Sequence, residues 1–344
     1  MSRMTAYRLY TGEPAARFEE VDVPHPAHGE VLLKVAGVGL CRSDIHYLEA
    51  SPGSLPYPVP FTLGHENTGW VEELGPGVTD VALGDAVIAN ASSFCGRCDY
   101  CLRGDTNYCP TGITGRGFGR DGGLSNYLAV PQHELVALRS LDPVEAAPLA
   151  DAGATSYRAV MKVMKRLRPG STAVVIGTGG LGGYAVQYLA KLTQARVIAA
   201  DSAPHRLAYA KEVGADETFP SDGTLPERMR EATGGLGADA VLDFVGIDET
   251  IRTAIGAARK VSTVVIVGVG GGRIDVPVRE LPLECELLRI RGYSIADLRE
   301  VVELAEAGVT QVESERFAFG EVEAAYDKLR RGDLRSRAVV TPNG

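Results

Sequence analysis

The sequence predicts an α/β protein, a β-rich first part followed by a doubly wound parallel sheet. Two observations carry that class. The first third holds short strand-like runs, Val31 to Val35 and Gly69 to Leu74, punctuated by Pro24, Pro26, Pro52, Gly53, Pro56, Pro58 and Pro60. From about Ser171 apolar runs alternate with stretches of helical spacing, the pattern of parallel strands covered on both faces by helices. A length of 344 residues suits two domains at roughly 150 residues each.

Taken in order, Val174-Val175-Ile176 is an apolar run ending in glycines, and Ala185 to Leu192 has helical spacing. Val197 to Asp201 is a second strand and Arg206 to Val213 a second helix. Ala240 to Phe244 and Val264 to Val267 are two more buried strands. Beyond Ile290 the sequence predicts helices at Leu298 to Ala307 and Val322 to Leu329, then a strand at Ala338 to Val340. The part beyond Ile290 lacks the glycine-ended strands of the middle section.

Composition removes several classes. Hydrophobic residues at 45% and charged residues at 23% exclude a disordered, collagenous or coiled-coil chain. Lys and Arg number 35 against 44 Asp and Glu, a net charge of −9 without a basic stripe, which argues against a phosphate-backbone binder. No run approaches the ~18 apolar residues of a membrane span. Met1 to Thr5 leads straight into polar sequence with no apolar signal core, so a cytoplasmic location is expected.

Four of the six cysteines, Cys95, Cys98, Cys101 and Cys109, crowd into one short segment. In a reducing compartment such thiols suit a metal rather than disulfides. A tetrahedral structural zinc fits four thiolates. An iron–sulfur cluster is the rival, because Cys109 precedes Pro110, but that run needs about three residues before its last cysteine. Seven separate Cys101 from Cys109 here. Zinc is preferred over the cluster and over unligated thiols, and a closed shell of four protein ligands leaves no place for substrate. Cys285 reads as a small buried apolar side chain.

Gly177-Thr178-Gly179-Gly180-Leu181-Gly182 follows the strand ending at Ile176 and opens a helix. In the dinucleotide fingerprint Gly177 permits the tight turn, Gly179 lets backbone approach a pyrophosphate, and Gly182 allows close helix–strand packing. The helix N-terminus offers free N–H groups to the phosphates. Asp201 ends the next strand, nineteen residues after Gly182, where a carboxylate accepts from the adenosine ribose hydroxyls. A 2′-phosphate would meet like charge there, and the next residue is Ser202, not an arginine. NAD(H) is therefore expected over NADP(H).

Three further segments stand out: Cys41-Arg42-Ser43-Asp44-Ile45-His46 and Gly64-His65-Glu66, both read as loops, and Asp151 after Pro148-Leu149-Ala150. With the four-cysteine lobe, the glycine turn and Asp201, in that order, the whole chain resembles the zinc-dependent medium-chain alcohol dehydrogenase family, closest in pattern to its bacterial NAD-dependent secondary-alcohol members. The resemblance implies a GroES-like catalytic domain over 1–151, with the zinc lobe at 91–112. A Rossmann NAD-binding domain over 152–289 and a return to the catalytic domain over 290–344 complete the division.

It also implies two zinc ions per chain, one structural and one catalytic. Cys41 and His65 would hold the catalytic ion with Asp151 as third ligand, where many members have cysteine. Glu66 is the competing oxygen donor, either outside the ligand set or an alternative within it. Ser43 matches the hydroxyl of the proton relay and His46 its outer member. Arg42 would clamp the pyrophosphate and Arg206 reach the adenosine ribose, unless it is a solvated helix residue. Val267 and Val269 would line the nicotinamide pocket.

The expected reaction moves hydride between NAD(H) and an alcohol/carbonyl pair through a zinc-bound alkoxide. Zinc can lower the pKa of bound water from ~15.7 to ~7, about 12 kcal/mol, and an alcohol should gain a comparable share. Small residues at Ala91-Ser92-Ser93 suggest a roomy pocket for secondary alcohols and ketones. A polyol or sugar dehydrogenase is the alternative within the family. A zinc-free quinone or enoyl reductase and an inactive NAD-binding protein are disfavoured by Cys41, His65, Asp151, Ser43 and His46. A homodimer or homotetramer is expected, with Val264 to Val267 and the Ile290 region extending a sheet between subunits, or else an edge strand covered within one chain.

Overall fold

Long apolar strands with few breaks dictate the first layer of this chain. In the computed structural model, which describes residues 2–10, 12, 15–51 and 53–344, Glu30–Leu40 is the longest strand, and nine of its eleven residues are buried. The residues divide into two units, Met1–Ala154 with Tyr293–Gly344, and Thr155–Gly292.

The first unit is built around Glu30–Leu40. One side of it pairs antiparallel with Glu66–Leu74. The other side is shared: Tyr127–Pro131 pairs with its first half, and Arg337–Thr341 with its second. Ala86–Ala89 and Leu135–Ala137 extend the sheet on one flank, Ser314–Ala318 on the other. Leu33, Val35, Val38, Leu40, Leu63, Val87, Leu128 and Val340 form its core. Burying these side chains, at roughly 25 cal/mol per Å² of apolar surface, is what holds the unit closed.

Register sets up the chemistry. Glu66 pairs with Gly39, and Ala338 pairs with Leu40. Glu66, Cys41 and Arg337 are thereby drawn to one corner of the sheet. Gly39 is required there, because a Cβ on it would lie 1.9 Å from Glu66 Oε2.

The second unit is a six-stranded parallel sheet in the order Glu217–Pro220, Arg196–Asp201, Thr172–Ile176, Ala238–Asp243, Ala258–Ile266, Glu286–Arg289. Thr172–Ile176 and Ala238–Asp243 are buried throughout. Helices Gly182–Leu192, Pro204–Glu212, Leu225–Ala232 and Asp248–Ala257 make the connections that parallel pairing demands. The α/β class and the doubly wound sheet expected from the sequence are both present.

Three local expectations are corrected. Arg42–Leu48 is a helix rather than a loop, with Cys41 at its N-cap, and Glu66 opens a strand. The strand over Val264 to Val267 is interior, because Glu286–Arg289 pairs beyond it as the edge. Among the described residues no helix is long and apolar enough to cross a membrane.

Candidate active site

Cys41 leaves the long strand with extended backbone and caps the following helix. Its N–H donates to Asp44 Oδ2 at 3.0 Å, satisfying one of the donors a helix start leaves open. Asp44, fully buried, turns its other oxygen to His65, with Nδ1 and Oδ1 3.0 Å apart. A proton on Nδ1 leaves the lone pair on Nε2. That nitrogen faces Asp151 Oδ2 at 3.6 Å and Ser43 Oγ at 3.5 Å. Cys41 Sγ lies 3.3 Å from the same Asp151 oxygen.

Ligand atoms of Cys41, His65, Glu66 and Asp151 all fall within 4.8 Å of one another. A thiol, an imidazole and two carboxylates are a donor set that suits zinc. The electrostatics agree. Burial opposes a charged His65, yet Asp44, Asp151 and Cys41 lift the imidazole well above its ordinary value. Surroundings that so favour a proton also favour a divalent cation.

Glu66 sits at the rear of this cluster, fully buried, and Arg337 Nη2 donates to its Oε1. Burial pushes the Glu66 carboxyl up to about 7 even beside that guanidinium. Arg337 went unnoticed in the sequence, 271 residues from its partner, and no local pattern announces it. Asp44 had a signal: an acidic residue three past a helix start is half of a capping box.

The four-cysteine lobe forms a second cluster within 4.8 Å. Cys98 Sγ lies 3.5 Å from Cys101 Sγ and 3.8 Å from Cys109 Sγ. Backbone N–H groups of Cys95 and Cys98 point at Cys109 Sγ and Cys95 Sγ, each at 3.3 Å. Burial works against a Cys109 thiolate, but the Thr111 hydroxyl and the Cys95 N–H outweigh it and bring the thiol down to about 6. Burial and its neighbouring thiols push Cys101 up to about 12. Sulfurs pre-supplied with donors suit a metal held as thiolates. The lobe is tied down by the Phe94 N–H, which donates to Glu134 Oε1 at 3.2 Å, and Glu134 is in turn paired with buried Arg116 at 2.5 Å.

In the second unit, Gly177 has φ +82° and a Cβ on Gly182 would lie 1.9 Å from the Gly177 carbonyl oxygen. The turn therefore needs both glycines. Asp201 Oδ2 accepts the Thr178 N–H at 2.8 Å and the Thr178 hydroxyl at 3.4 Å, and Oδ1 accepts the Ala203 N–H at 2.9 Å, which leaves an acceptor site on Oδ1. Arg206 Nη1 stands 3.9 Å from Asp201 Oδ1. Val267 is buried and Val269 is exposed.

The chain matches the alcohol dehydrogenase GroES-like domain over residues 27–140 and the zinc-binding dehydrogenase domain over 180–307. A D-arabinose 1-dehydrogenase (NADP(+)) of Saccharolobus solfataricus is 34% identical over 331 residues, covering 94% of this chain and 93% of that protein. This chain belongs to the zinc-binding alcohol dehydrogenases. An NAD-dependent alcohol dehydrogenase of Sulfurisphaera tokodaii is 33% identical over 350 residues, covering 98% of this chain and 100% of that one. Acetophenone reductase from Geotrichum candidum, solved with NAD, superposes with a TM-score of 0.87 at 29% identity, covering 98% and 97% of the two chains. This zinc-binding alcohol dehydrogenase is thus an oxidoreductase with the GroES-like and parallel-sheet parts that its sequence announces.

The dehydrogenase also carries a row of rings running to its donor cluster. Tyr47 and Tyr57 centroids are 6.3 Å apart, Tyr57 and Phe118 6.5 Å, and Phe118 and His65 6.1 Å. Ala91, expected to open space, is buried, and its N–H donates to the Tyr293 hydroxyl at 3.1 Å. A large side chain therefore stands beside the small one.

Proposed function

We propose that this dehydrogenase interconverts secondary alcohols and ketones with NAD(H), at a metal held by Cys41, His65 and Asp151. The single observation that carries the assignment is the convergence of Cys41 Sγ and His65 Nε2 on Asp151 Oδ2, at 3.3 and 3.6 Å. Zinc bound there supplies Lewis acidity that favours negative charge on a substrate oxygen.

This chain's own residues do the rest. Asp44 holds His65 with Nε2 toward the donor set. Ser43, 3.5 Å from that nitrogen, takes the hydroxyl proton, and His46, one turn along the same helix, passes it outward. Glu66, engaged by Arg337, stays outside the ligand set and tempers its charge. Arg42 is proposed for the pyrophosphate, and Gly177, Gly179, Gly180, Leu181 and Gly182 for its cradle. Asp201 is proposed for the ribose hydroxyls with Arg206 beside it, and Val267 and Val269 for the nicotinamide. Cys95, Cys98, Cys101 and Cys109 are proposed to hold a second, structural zinc.

The ring row of Tyr57 and Phe118 supports an apolar substrate group, and the likeness to an acetophenone reductase points the same way. The likeness to a D-arabinose dehydrogenase supports the rival polyol reading. NADH formation with a medium-chain secondary alcohol, its primary isomer and a polyol, before and after chelation, tests both. Chelator-sensitive turnover of the secondary alcohol is expected, while turnover of the polyol alone would overturn the substrate assignment.

Free thiols suited to metal favour a cytoplasmic location. A homodimer through the edge strand Glu286–Arg289 is proposed as well. Val278 and Leu283, 85% and 68% exposed, precede that strand and offer apolar surface. Light scattering that returned a monomer would overturn it.

A further inference from the structure

We propose that Tyr293 is a positioning residue for Asp151, fixing the peptide that presents its carboxylate to Cys41 and His65. This rests on the reading of Asp151 as a metal ligand. The Tyr293 hydroxyl accepts the Ala91 N–H at 3.1 Å and donates to the Ala150 carbonyl. All three residues are buried. Burial holds the phenol far above its ordinary value, so it keeps the proton that it donates.

Ala150 ends the turn Ala147–Ala150, and the next helix starts at Ala152. Asp151 lies between them with φ −142° and ψ −64°, neither helical nor extended. The peptide unit is planar, so an anchored Ala150 oxygen also orients the N–H and the φ axis of Asp151. The N–H of that peptide donates to the Pro148 carbonyl at 3.5 Å, a long contact, and the phenol holds its other end.

Tyr293 is itself held on its far side. Ser294 caps the helix Ile295–Glu306 through Asp297, whose N–H donates to Ser294 Oγ at 3.2 Å. The Ile295 N–H donates to Thr106 Oγ1 at 3.0 Å, and Thr106 lies between Cys101 and Cys109 in the cysteine lobe. The segment 293–295 therefore links the lobe to the backbone of Asp151, two regions otherwise far apart in sequence.

The test compares zinc release to a chelator from the wild-type holoenzyme, Tyr293→Phe, Asp151→Asn and the double variant. Tyr293→Phe is expected to release one metal equivalent about 10-fold faster, the scale at which partners of metal ligands act, with the four-cysteine equivalent unmoved. Asp151→Asn should release it faster still, and the double variant no faster than Asp151→Asn alone. Cobalt-substituted Tyr293→Phe should show a shifted ligand-field spectrum.

Wild-type release from Tyr293→Phe overturns the inference, as does the same 10-fold added on top of Asp151→Asn, or equal acceleration of both equivalents. Unchanged release from Asp151→Asn overturns the ligand assignment itself, so the two failures are told apart. Should Tyr293→Phe not fold, p-aminophenylalanine at 293 keeps the ring and the donor. Wild-type retention of metal there supports the inference, and release as fast as from Asp151→Asn overturns it.

Discussion

Asp44 Oδ1 stands 3.0 Å from His65 Nδ1 while Asp44 Oδ2 accepts the Cys41 N–H at the same distance. One buried carboxylate thus orders two proposed ligands that the sequence separates by 24 residues. Asp44→Asn keeps the shape but turns one oxygen into a donor facing another donor. We expect kcat/KM for alcohol oxidation to fall about 10- to 100-fold, with metal content reduced at one site only. Steady-state kinetics and elemental analysis check both.

Arg337 and Glu66 form a buried pair in the sheet corner. Removing one partner of such a pair costs about 3–5 kcal/mol, because the other charge stays buried alone. Arg337→Met should therefore lower Tm by about 10 °C for a unit of this size. Glu66→Gln with Arg337→Met should recover most of it. Thermal unfolding of the wild type, Arg337→Met, Glu66→Gln and the double variant gives the comparison, and additive losses would count against the pairing.

The two metal clusters are predicted to be independent. Cys98→Ser should lose the lobe metal and lower stability while leaving the Cys41-His65-Asp151 equivalent in place. Asp151→Asn should keep the lobe metal in full and hold the other equivalent more weakly. Elemental analysis after gel filtration reads each, and loss of both metals from either variant would mean one shared site.

Asp201 should decide between cofactors. A hydrogen bond to a charged group is worth about 1.5–3 kcal/mol, so Asp201→Ala should lower kcat/KM for NAD about 10- to 100-fold. With the like charge of the carboxylate gone and the Arg206 guanidinium 3.9 Å from its place, use of NADP should rise. Parallel assays with both cofactors measure the ratio.

Phe118, between Tyr57 and His65, should shape substrate choice. Phe118→Ala is expected to cost about 1–3 kcal/mol in kcat/KM for aryl ketones and far less for short aliphatic ones. Equal losses across both series would remove the ring row from the substrate site.

What the sequence made legible was local chemistry. The four cysteines and the glycine turn carry their ligand spacing within one segment, so no tertiary knowledge is needed to see them. Arg42–Leu48 was misread because Ser43, Asp44, Ile45 and His46 are indifferent helix formers; burial of Asp44 and Ile45 and the cap at Cys41 decide the matter. The edge strand Glu286–Arg289 escaped notice because Glu-Leu-Leu-Arg is short and half charged, which made the strand before it look like an edge. Arg337 and Tyr293 could not be found at all. Their partners lie in other parts of the chain, and only sheet register and the return of residues 293–344 to the first unit bring them together.

That return has a consequence for the order of synthesis. A ribosome makes residues 155–292 before the strand Arg337–Thr341 exists, yet this strand pairs directly with Glu30–Leu40. A nascent chain holding everything up to residue 292 therefore has Glu66 without its guanidinium and Ala150 without its phenol. The parallel sheet has all of its strands by then and can close first, as domains fold in the order they emerge. The donors Cys41, His65 and Asp151 are all made before residue 155, whereas the groups that engage Glu66 and the Ala150 carbonyl arrive only with residues 293–344, so the donor cluster receives its supports after its donors.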